Sequence, residues 1–338
     1  MGCDSPLKGW RDRETNGITF RRENGFGEKM EVGCGQCLGC RLDHSRMWAM
    51  RIVHESTLHE YTGGNCFVTL TYRDEGECSL DELKKGLHVP SDWSLHKSHF
   101  QRFMKRLRKH FPDQEIRYFC AGEYGRKCRH GIDLEHGDCP IGCILGRPHY
   151  HACLFNCSFV DLIPYETDGG ITRYYSPFLE SVWGYGFVDV GELNYTTANY
   201  TAKYILKKVK KVKDSADYWH FDDYGNVTFL TPEFVLMSRG NASHKGKRCG
   251  IGAGWFEKYR DDVFPSDEVP VPGHGVMQGV PRYYDDILKD ENPDLFEQVK
   301  AKRIKYMQDN KEEFSDKRLL DKHKVKKARL KLREERKL

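Results

Sequence analysis

The stretch Gly146-Arg147-Pro148-His149-Tyr150-His151-Ala152-Cys153-Leu154-Phe155 decides the fold, and the rest of the chain is organised around it. Side chains along a β-strand alternate between the two faces of the sheet, so His149 and His151 share one face. Tyr150, Ala152 and Leu154 share the other face, which is apolar enough to cover a core. The two imidazoles would then face an open site and supply half of a metal centre. For His-x-His alone, a pair of half-buried histidines without a ligand is the alternative.

A second segment lies about fifty residues further on and reads as a helix, with the capping-competent Thr196 and Thr197 near its start. At about 100° per residue, its two faces differ in composition. One face carries Ala198, Ala202, Ile205 and Val209, and the opposite face carries Tyr200, Tyr204, Lys207 and Lys211. Tyrosines in helices commonly pack in a core, but the helical positions of Tyr200 and Tyr204 turn both side chains away from the apolar face. Because a phenol ionises near pH 10, Tyr200 and Tyr204 beside lysines are candidate nucleophiles once a cation stabilises the phenolate or the substrate charge.

These segments occur together with three other motifs: Cys34-Gly-Gln-Cys37-Leu-Gly-Cys40-Arg41, Phe67-Val-Thr-Leu-Thr-Tyr72 and Gly122-Glu123-Tyr-Gly125. In this order and spacing they resemble the HUH endonucleases, the superfamily of rolling-circle replication initiators and relaxases. Within that superfamily the chain is similar to the replication initiation proteins of small single-stranded DNA phages, the gokushovirus branch of the microviruses. The resemblance covers about residues 30 to 285.

The resemblance implies a reaction and a set of residues. It implies an enzyme that nicks and rejoins single-stranded DNA at a phage origin through a 5′-phosphotyrosine intermediate, and so starts and ends rolling-circle replication. Glu123 becomes the third metal ligand beside His149 and His151, and Lys203 matches the family's lysine between the two tyrosines. Two nitrogens and one carboxylate suit Mn²⁺ better than Mg²⁺, although cellular abundance favours Mg²⁺. Which tyrosine attacks first stays open.

The order of elements predicts the fold class. Six elements precede the tyrosine helix in the sequence. They are a strand at 65–72, a helix at 97–110, a strand at 116–121, the His-x-His strand, a short helix from Ser176-Pro177 and a strand at 187–190. Strand, helix, strand, strand, helix, strand is the order of a split βαβ, ferredoxin-like core. We therefore predict an α+β fold with an antiparallel sheet and flanking helices. The HUH resemblance implies the same fold.

Thirteen cysteines are too many and too clustered for a spread disulfide framework, and in a reducing compartment such clusters indicate metal ligands. One group, Cys3, Cys34, Cys37 and Cys40, is interpreted as a structural zinc site, with reduced, unliganded thiols as the alternative. A second group in an insertion comprises Cys128, His130, His136, Cys139 and Cys143. A zinc-stabilised loop is the hypothesis here, and a plain mobile loop is the alternative.

Basic residues indicate DNA contacts. The helix at 97–110 carries cations without a carboxylate, and Arg102, Lys105 and Arg106 are candidates to contact phosphate. Lys207 lies on the tyrosine stripe, and the family's first motif places Thr71 and Tyr72 beside DNA. From residue 301 onward, 15 Lys and Arg stand against 7 Asp and Glu within a chain of net charge +4. This tail is either a solvated segment or a non-specific DNA-binding arm.

Composition divides the chain into four expected parts. They are a Cys-rich segment at 1–40, an HUH domain at 41–212 with the Cys/His insertion at 126–145, an extension packing on the core at 213–285, and a charged, net basic helical tail at 286–338. The sequence has neither a membrane-length apolar run nor a secretory signal, so we expect a protein of the host cytoplasm without a membrane partner. It also has no P-loop, so a host helicase and a host polymerase are the expected partners besides DNA.

Three other classes compete with this interpretation. A plasmid-type relaxase or initiator would use the same chemistry. A non-catalytic, zinc-stabilised DNA-binding protein would use the tyrosines only to stack on bases. An iron oxygenase with two histidines and one carboxylate fits the ligands, but it leaves the tyrosine stripe and the basic faces unexplained.

Overall fold

The computed structural model describes residues 2–15, 17–134, 137–140, 142–143, 145–168, 171–207, 218–221, 227–239, 243–244 and 247–335. Two compact units are present. The first comprises Met1–Met47, Asp261–Val269 and Met277–Leu338, and the second comprises Trp48–Arg260 and Pro270–Val276. The candidate catalytic residues all lie in the second unit.

The described strands are β1 (Leu7–Asp12), β2 (Ile18–Thr19), β3 (Gly25–Val32), β4 (Asn65–Tyr72), β5 (Arg117–Tyr124), β6 (Pro148–Phe155), β7 (Ile163–Asp168), β8 (Ile171–Tyr175), β9 (Gly186–Gly191), β10 (Trp219–Phe221), β11 (Val227–Phe229), β12 (Phe234–Met237), β13 (Ser243–His244), β14 (Lys247–Arg248), β15 (Glu268–Val271) and β16 (Gly275–Gln278). The described α-helices are α1 (Leu38–Thr57), α2 (Leu80–Lys84), α3 (Lys97–His110), α4 (Pro177–Trp183), α5 (Tyr195–Lys207), α6 (Ala253–Val263), α7 (Arg282–Glu291), α8 (Pro293–Asp309) and α9 (Asp316–Glu335).

The second unit is built on a seven-stranded sheet of order β12-β5-β6-β4-β9-β8-β7. Every neighbouring pair in it is antiparallel. Its inner four strands, β5-β6-β4-β9, are joined through α3 between β4 and β5 and through α4 between β6 and β9. This is the split βαβ arrangement. The predicted α+β fold with an antiparallel sheet is confirmed.

One face of the sheet carries the main core, because the strands alternate. On β4, Cys66, Val68, Leu70 and Tyr72 are buried while the residues between them are half-exposed. On β6, Tyr150, Ala152 and Leu154 belong to the same core, as the sequence predicts. Phe100, Phe103 and Trp183 from α3 and α4 are completely buried against them. The face that carries His149 and His151 is therefore left for other contacts.

The two helices over this core form for local reasons. In α3, Phe100, Phe103, Met104 and Leu107 are the buried residues, at the spacing of one helical face. In α4, the hydroxyl of Ser176 accepts a hydrogen bond from the amide of Leu179, and Pro177 occupies the first turn. Gly184 ends α4 at φ 71°, in the left-handed region that favours glycine.

Helix α5 lies on the other face, where it packs against β5 and β6. Ala198 and Ala202 are completely buried, as predicted for the apolar side of this helix, while the Ile205 side chain and Val209 lie outside the described residues. Its cap differs from the prediction: the side-chain oxygen of Asn194 accepts hydrogen bonds from the amides of Thr196 and Thr197. The Thr197 hydroxyl in turn accepts from the Asn194 amide, so the asparagine begins the helix and the threonine completes a reciprocal cap.

The first unit contains the sheet β2-β1-β3 and the helices α7, α8 and α9. In the part of the chain that the structure describes, no helix is both long enough and apolar enough to cross a membrane.

Candidate functional site

Strand pairing brings the predicted ligands together. Strand β6 lies between β5 and β4, with Glu123 opposite His149 and Thr69 opposite His151. Residues that face each other across an antiparallel pair point to the same side of the sheet. Glu123, His149, His151 and Thr69 therefore share the face that the main core leaves open.

Three side chains meet in a compact cluster. One carboxylate oxygen of Glu123, Oε1, lies 2.7 Å from His149 Nε2 and 3.1 Å from His151 Nε2. The two Nε2 atoms are themselves 3.1 Å apart. Glu123 is 4% exposed and His151 is 6% exposed, so these two members of the cluster have little contact with bulk solvent.

The other ring nitrogens fix the orientation of both imidazoles. His149 Nδ1 lies 3.1 Å from the carbonyl oxygen of Arg147, and a carbonyl only accepts, so Nδ1 is the donor. His151 Nδ1 lies 3.0 Å from the Thr69 hydroxyl. A neutral imidazole that donates through Nδ1 keeps its lone pair on Nε2. Ligating histidines are commonly oriented by such partners.

Glu123 is strongly acidic in this setting. Burial alone would raise the pKa of its carboxyl, but when Nε2 of His149 and His151 carries a proton these imidazoles donate to the carboxylate, and these hydrogen bonds outweigh burial and lower that pKa to about 2. Its second oxygen, Oε2, is buried and accepts no hydrogen bond from the described residues. A buried anionic oxygen without a partner, beside two imidazole nitrogens, is the donor set of a divalent cation. The residues present therefore fit a metal.

Tyr200 projects from α5 towards this cluster. Its ring lies edge-on to that of His151 at a centroid distance of 5.1 Å, and edge-on to Phe67 at 6.3 Å. Tyr200 is half-buried, as is Lys203 one turn further along the helix. Tyr204 and Lys207 lie on the helical backbone, but their side chains fall outside the described part of the chain, as does Lys211.

A groove of about 470 Å³ opens beside His149. Its lining includes Thr69 and Thr71 from β4, Asp74, and three cations, Lys127, Arg129 and Arg147. The Arg147 guanidinium donates to the Tyr72 carbonyl at 3.0 Å and to Asp74 at 2.5 Å. Lys127 is exposed, so the groove combines positive charge with a nearby metal-type cluster.

Sequence reasoning missed these three cations and Thr69. The run Arg126-Lys127-Cys128-Arg129 carried a signal of basic charge, but the cysteine drew attention to metal binding instead. Thr69 alternates in phase with Thr71, so it faces the same side, yet only the β4–β6 register places it on His151.

The predicted DNA contacts are divided between the two faces. Thr71 lines the groove. Tyr72 is completely buried in the main core, where its hydroxyl contacts His99 and Tyr150, so its side chain is not exposed to DNA. Arg102, Lys105 and Arg106 lie on α3, which covers the opposite face of the sheet. The structure does not bring them to the cluster.

Both cysteine groups converge. Within each group, the candidate ligand atoms lie within 4.8 Å of one another: Cys3, Cys34, Cys37 and Cys40 form the N-terminal group, and Cys128, His130, Cys139 and Cys143 form the group in the insertion. The fifth predicted ligand of the insertion, His136, lies outside the described residues.

The chain matches the family model of the replication-associated protein ORF2/G2P over residues 65–132 and 141–209. Both parts contain residues of the cluster: Glu123 lies in the first, and His149, His151 and Tyr200 lie in the second. No solved structure matches this chain.

Curated relatives come from three phages. The chain is 32% identical to the replication-associated protein ORF2 of Spiroplasma virus 4 over 282 residues, covering 81% of this chain and 73% of that protein. It is 28% identical to the replication-associated protein VP4 of Bdellovibrio phage phiMH2K, covering 84% and 77%. The match to the replication-associated protein ORF4 of Chlamydia phage 1 is 25% identical and spans about half of that protein, 53%.

Proposed function

The chain belongs to the replication-associated protein ORF2/G2P family, and from this premise we propose that it initiates phage DNA replication by nicking and rejoining single-stranded DNA. The phage sources of the relatives favour the phage type of initiator over a plasmid relaxase. The observation that carries the proposal is the position of Tyr200 beside the cluster of Glu123, His149 and His151.

Glu123, His149 and His151 would hold a divalent cation, either Mn²⁺ or Mg²⁺. The support is the buried Oε2 of Glu123, which has no hydrogen-bond partner among the described residues, and the Nε2 lone pair that a neutral His149 keeps when it donates through Nδ1. When bound, such a cation would polarise the scissile phosphate and offset the negative charge that develops on it. Arg147 and Thr69 act as positioning residues, because they hold the imidazoles in the orientation that points Nε2 at the carboxylate.

A tyrosine hydroxyl would be the nucleophile. Its oxygen forms a bond to phosphorus while the bond from phosphorus to the 3′ oxygen breaks. The phenol gives up its proton and the departing 3′ oxygen takes one, so the products are a 5′-phosphotyrosine and a free 3′-hydroxyl. Tyr200 is suited to the role because its ring already contacts His151. Lys203 would stabilise the phenolate or the phosphate by its charge.

A second tyrosine would complete the cycle. Tyr204 follows Tyr200 by about one helical turn, so the two residues belong to one side of α5. After synthesis, it would attack the regenerated junction while the first tyrosine still holds the original 5′ end. The released strand is then closed, and the enzyme stays attached to the new one.

The DNA would approach through the groove beside His149. Lys127, Arg129 and Arg147 line it and suit a phosphate backbone, and Thr71 lies on its floor. Lys207 would extend this contact along α5. Arg102, Lys105 and Arg106 would contact only DNA that continues beyond the groove to the opposite face of the sheet. Tyr72 has no part in this path because it is buried.

The products define the partners. A free 3′-hydroxyl is a primer, so a host polymerase would extend it, and a host helicase would open the duplex ahead. These partners place the reaction in the host cytoplasm. Within this proposal, residues 41–212 are the catalytic domain, and Lys127, Cys128, Arg129 and Gly131 of the insertion line the groove.

The experiment is to incubate the protein with single-stranded origin DNA and Mn²⁺ and to look for a covalent adduct on a denaturing gel. We expect an adduct with Mn²⁺ and none with EDTA. DNA binding without an adduct, in protein whose metal loading has been verified, would favour the non-catalytic zinc-stabilised DNA-binding protein instead.

A further inference from the structure

We propose that Cys128, His130, Cys139 and Cys143 hold a structural zinc ion, and that this ion fixes the basic wall of the groove formed by Lys127, Arg129 and Arg147. The site is separate from the cluster of Glu123, His149 and His151. Its zinc binding stands on its own geometry. The contribution of the wall to DNA binding rests on the proposed function.

The ligand distances fit tetrahedral zinc. His130 Nδ1 lies 3.5 Å from Cys139 Sγ and 3.3 Å from Cys143 Sγ. With zinc bonds of about 2.3 Å to sulfur and 2.0 Å to nitrogen, a tetrahedron has a sulfur–nitrogen edge of about 3.5 Å. Cys128, Cys139 and Cys143 form no disulfide with one another, although their sulfurs approach the same point. Three thiols and one imidazole are also the ligand types that zinc prefers.

The apolar cluster in the described part of the loop is small. Cys128, Cys139 and Cys143 are buried, and Ile132 and Leu134 pack against them. Among the described residues, the three cysteines are therefore the centre of the loop's interior. A structural metal supplies folding free energy in small modules of this kind.

The backbone forms two tight turns that present the ligands. The Cys128 amide donates to the Ile132 carbonyl at 3.0 Å, and the Gly131 amide donates to the Cys128 carbonyl at 2.9 Å. Gly131 has φ 77°, in the left-handed region. The Gly142 amide donates to the Cys139 carbonyl, and Gly142 has φ 79°. Each glycine directly follows or precedes a ligand, so both ligand pairs are set by a turn that favours glycine.

This loop is joined directly to the start of the His-x-His strand. The Arg147 amide donates to the Lys127 carbonyl at 2.8 Å, and the Gly125 amide donates to the Arg147 carbonyl at 2.8 Å. A Cβ on Gly146 would lie 1.9 Å from the Gly125 carbonyl oxygen. Only glycine at position 146 therefore allows the two chain segments to lie this close together. Lys127 precedes one ligand, and Arg129 lies between two. Loss of zinc would therefore displace Lys127 and Arg129, while Arg147 is also held by the Tyr72 carbonyl and Asp74.

A different observation supports a second zinc ion at Cys3, Cys34, Cys37 and Cys40. Cys3 Sγ lies 3.7 Å from Cys34 Sγ and 3.8 Å from Cys37 Sγ. A tetrahedral zinc site with bonds of about 2.3 Å has a sulfur–sulfur edge of about 3.8 Å. The amide of Asp4 points at Cys37 Sγ at 3.1 Å, and the amide of Cys37 points at Cys34 Sγ at 3.2 Å. Such amide contacts stabilise thiolates.

The N-terminal site would anchor the C-terminal helix. The carboxylate of Asp4, next to the ligand Cys3, binds Lys326 at 2.5 Å and His323 at 3.1 Å on α9. Lys326 also donates to the carbonyl of Gly2 at 2.6 Å. The basic tail is thus held at the segment that the zinc ion would order.

The test is the zinc content of the purified full chain and of three variants, by elemental analysis. We expect two zinc ions per chain. Cys139→Ser and Cys37→Ser should each retain one, while Cys78→Ser, at a half-buried cysteine outside both groups, should retain two. Less than one zinc ion per wild-type chain overturns both sites. A content of two in Cys139→Ser, or in Cys37→Ser, overturns that site.

Replacement of zinc by Co²⁺ gives a readout that is independent of activity. Tetrahedral Co²⁺ bound to thiolates has intense visible absorption, and we expect two sets of bands in the wild type. Cys139→Ser should remove the set of the mixed site while the other set shows that the first unit is still folded; retained Mn²⁺ binding at Glu123, His149 and His151 reports folding of the second unit. Bands unchanged in Cys139→Ser would contradict the site. Zinc binding in a protein that forms no DNA adduct would contradict the nicking proposal and leave the zinc sites standing.

Discussion

The ring of Tyr200 lies edge-on to the ring of His151, with centroids 5.1 Å apart and ring planes at 79°. His151 in turn contacts Glu123 and Thr69, so one histidine connects the tyrosine helix to the cluster of acid and imidazoles. This contact requires that α5 cross the open face of the sheet, which its two buried alanines allow. Tyr200 is thus next to the cluster, as the proposed nucleophilic role requires.

Replacing Glu123 by Gln should weaken Mn²⁺ binding by at least about tenfold, which corresponds to about 1.4 kcal/mol. The amide keeps the shape of the side chain but removes the negative charge that faces both histidines. Isothermal titration with Mn²⁺ measures the effect. Glu60→Gln, at an exposed glutamate, is the control and should bind as the wild type does. Equal affinity in Glu123→Gln would contradict its role as a ligand.

Replacing Lys127 by Ala should weaken binding of single-stranded DNA and lower its salt dependence. Each phosphate contact on a single strand contributes about 0.7 to the slope of log affinity against log salt concentration. Fluorescence anisotropy at several salt concentrations measures both quantities. Lys105→Ala removes the same charge from the opposite face of the sheet, and we expect little change from it. A larger loss in Lys105→Ala than in Lys127→Ala would place the DNA on the α3 side.

Replacing Tyr150 by Phe should lower the free energy of unfolding by about 1–3 kcal/mol. The Tyr150 hydroxyl contacts the Tyr72 hydroxyl at 2.8 Å, donates to the His96 carbonyl at 2.9 Å and accepts from the His96 amide at 3.1 Å. Phenylalanine leaves these buried groups without that partner. Urea unfolding measures the change, with Tyr61→Phe, at a residue 96% exposed, as the control. Mn²⁺ affinity should stay unchanged, since Tyr150 points away from the cluster.

His54 should make the second unit less stable at acid pH. It is completely buried, stacks on Trp255 and contacts the Pro270 carbonyl at 2.9 Å. Burial lowers the pKa of His54 to about 4, although the contact with Pro270 opposes the shift. An unfolded histidine takes up a proton near pH 6.5, so between pH 6.5 and 4 the unfolded state binds more protons. The free energy of unfolding therefore falls as the pH falls through this range.

By pH 5, this single histidine should cost the wild type about 2 kcal/mol relative to pH 7.5. Urea titrations of the wild type and of His54→Gln at both pH values isolate the contribution, because other titrating groups are common to the two proteins. Parallel losses in the two proteins would show that His54 does not titrate in this way.

Local sequence patterns predicted the parts of the fold that depend on periodicity. The alternation along β6 placed Tyr150 in the core and His149 on the open face, and the helical phase of α5 correctly buried Ala198 and Ala202. The N-terminal cap of α5 was assigned incorrectly. Asn194, Thr196 and Thr197 are all capping residues, and only the backbone geometry decides which of them begins the helix.

Long-range placement lay beyond such patterns. The basic residues of α3 were predicted to contact phosphate, but helical periodicity could not say that α3 covers the face of the sheet opposite the cluster. Tyr72 was assigned to DNA by its motif, although its position on β4, in phase with Leu70, turns it into the core. Lys127 and Arg147 meet at the groove because the Arg147 amide donates to the Lys127 carbonyl, a contact between residues twenty positions apart that charge alone could not reveal.

The most direct measurement is the identity of the tyrosine that carries DNA after the first cleavage. Protein incubated with single-stranded origin DNA and Mn²⁺ is digested, and the DNA-linked peptide is sequenced by mass spectrometry for the wild type, Tyr200→Phe and Tyr204→Phe. We predict that the first adduct forms on Tyr200, that Tyr200→Phe lowers its initial rate by about 100-fold or more while Mn²⁺ binding is retained, and that Tyr204→Phe still forms it. Adduct formation by Tyr200→Phe at the wild-type rate, or its absence from metal-loaded wild type, would contradict this account.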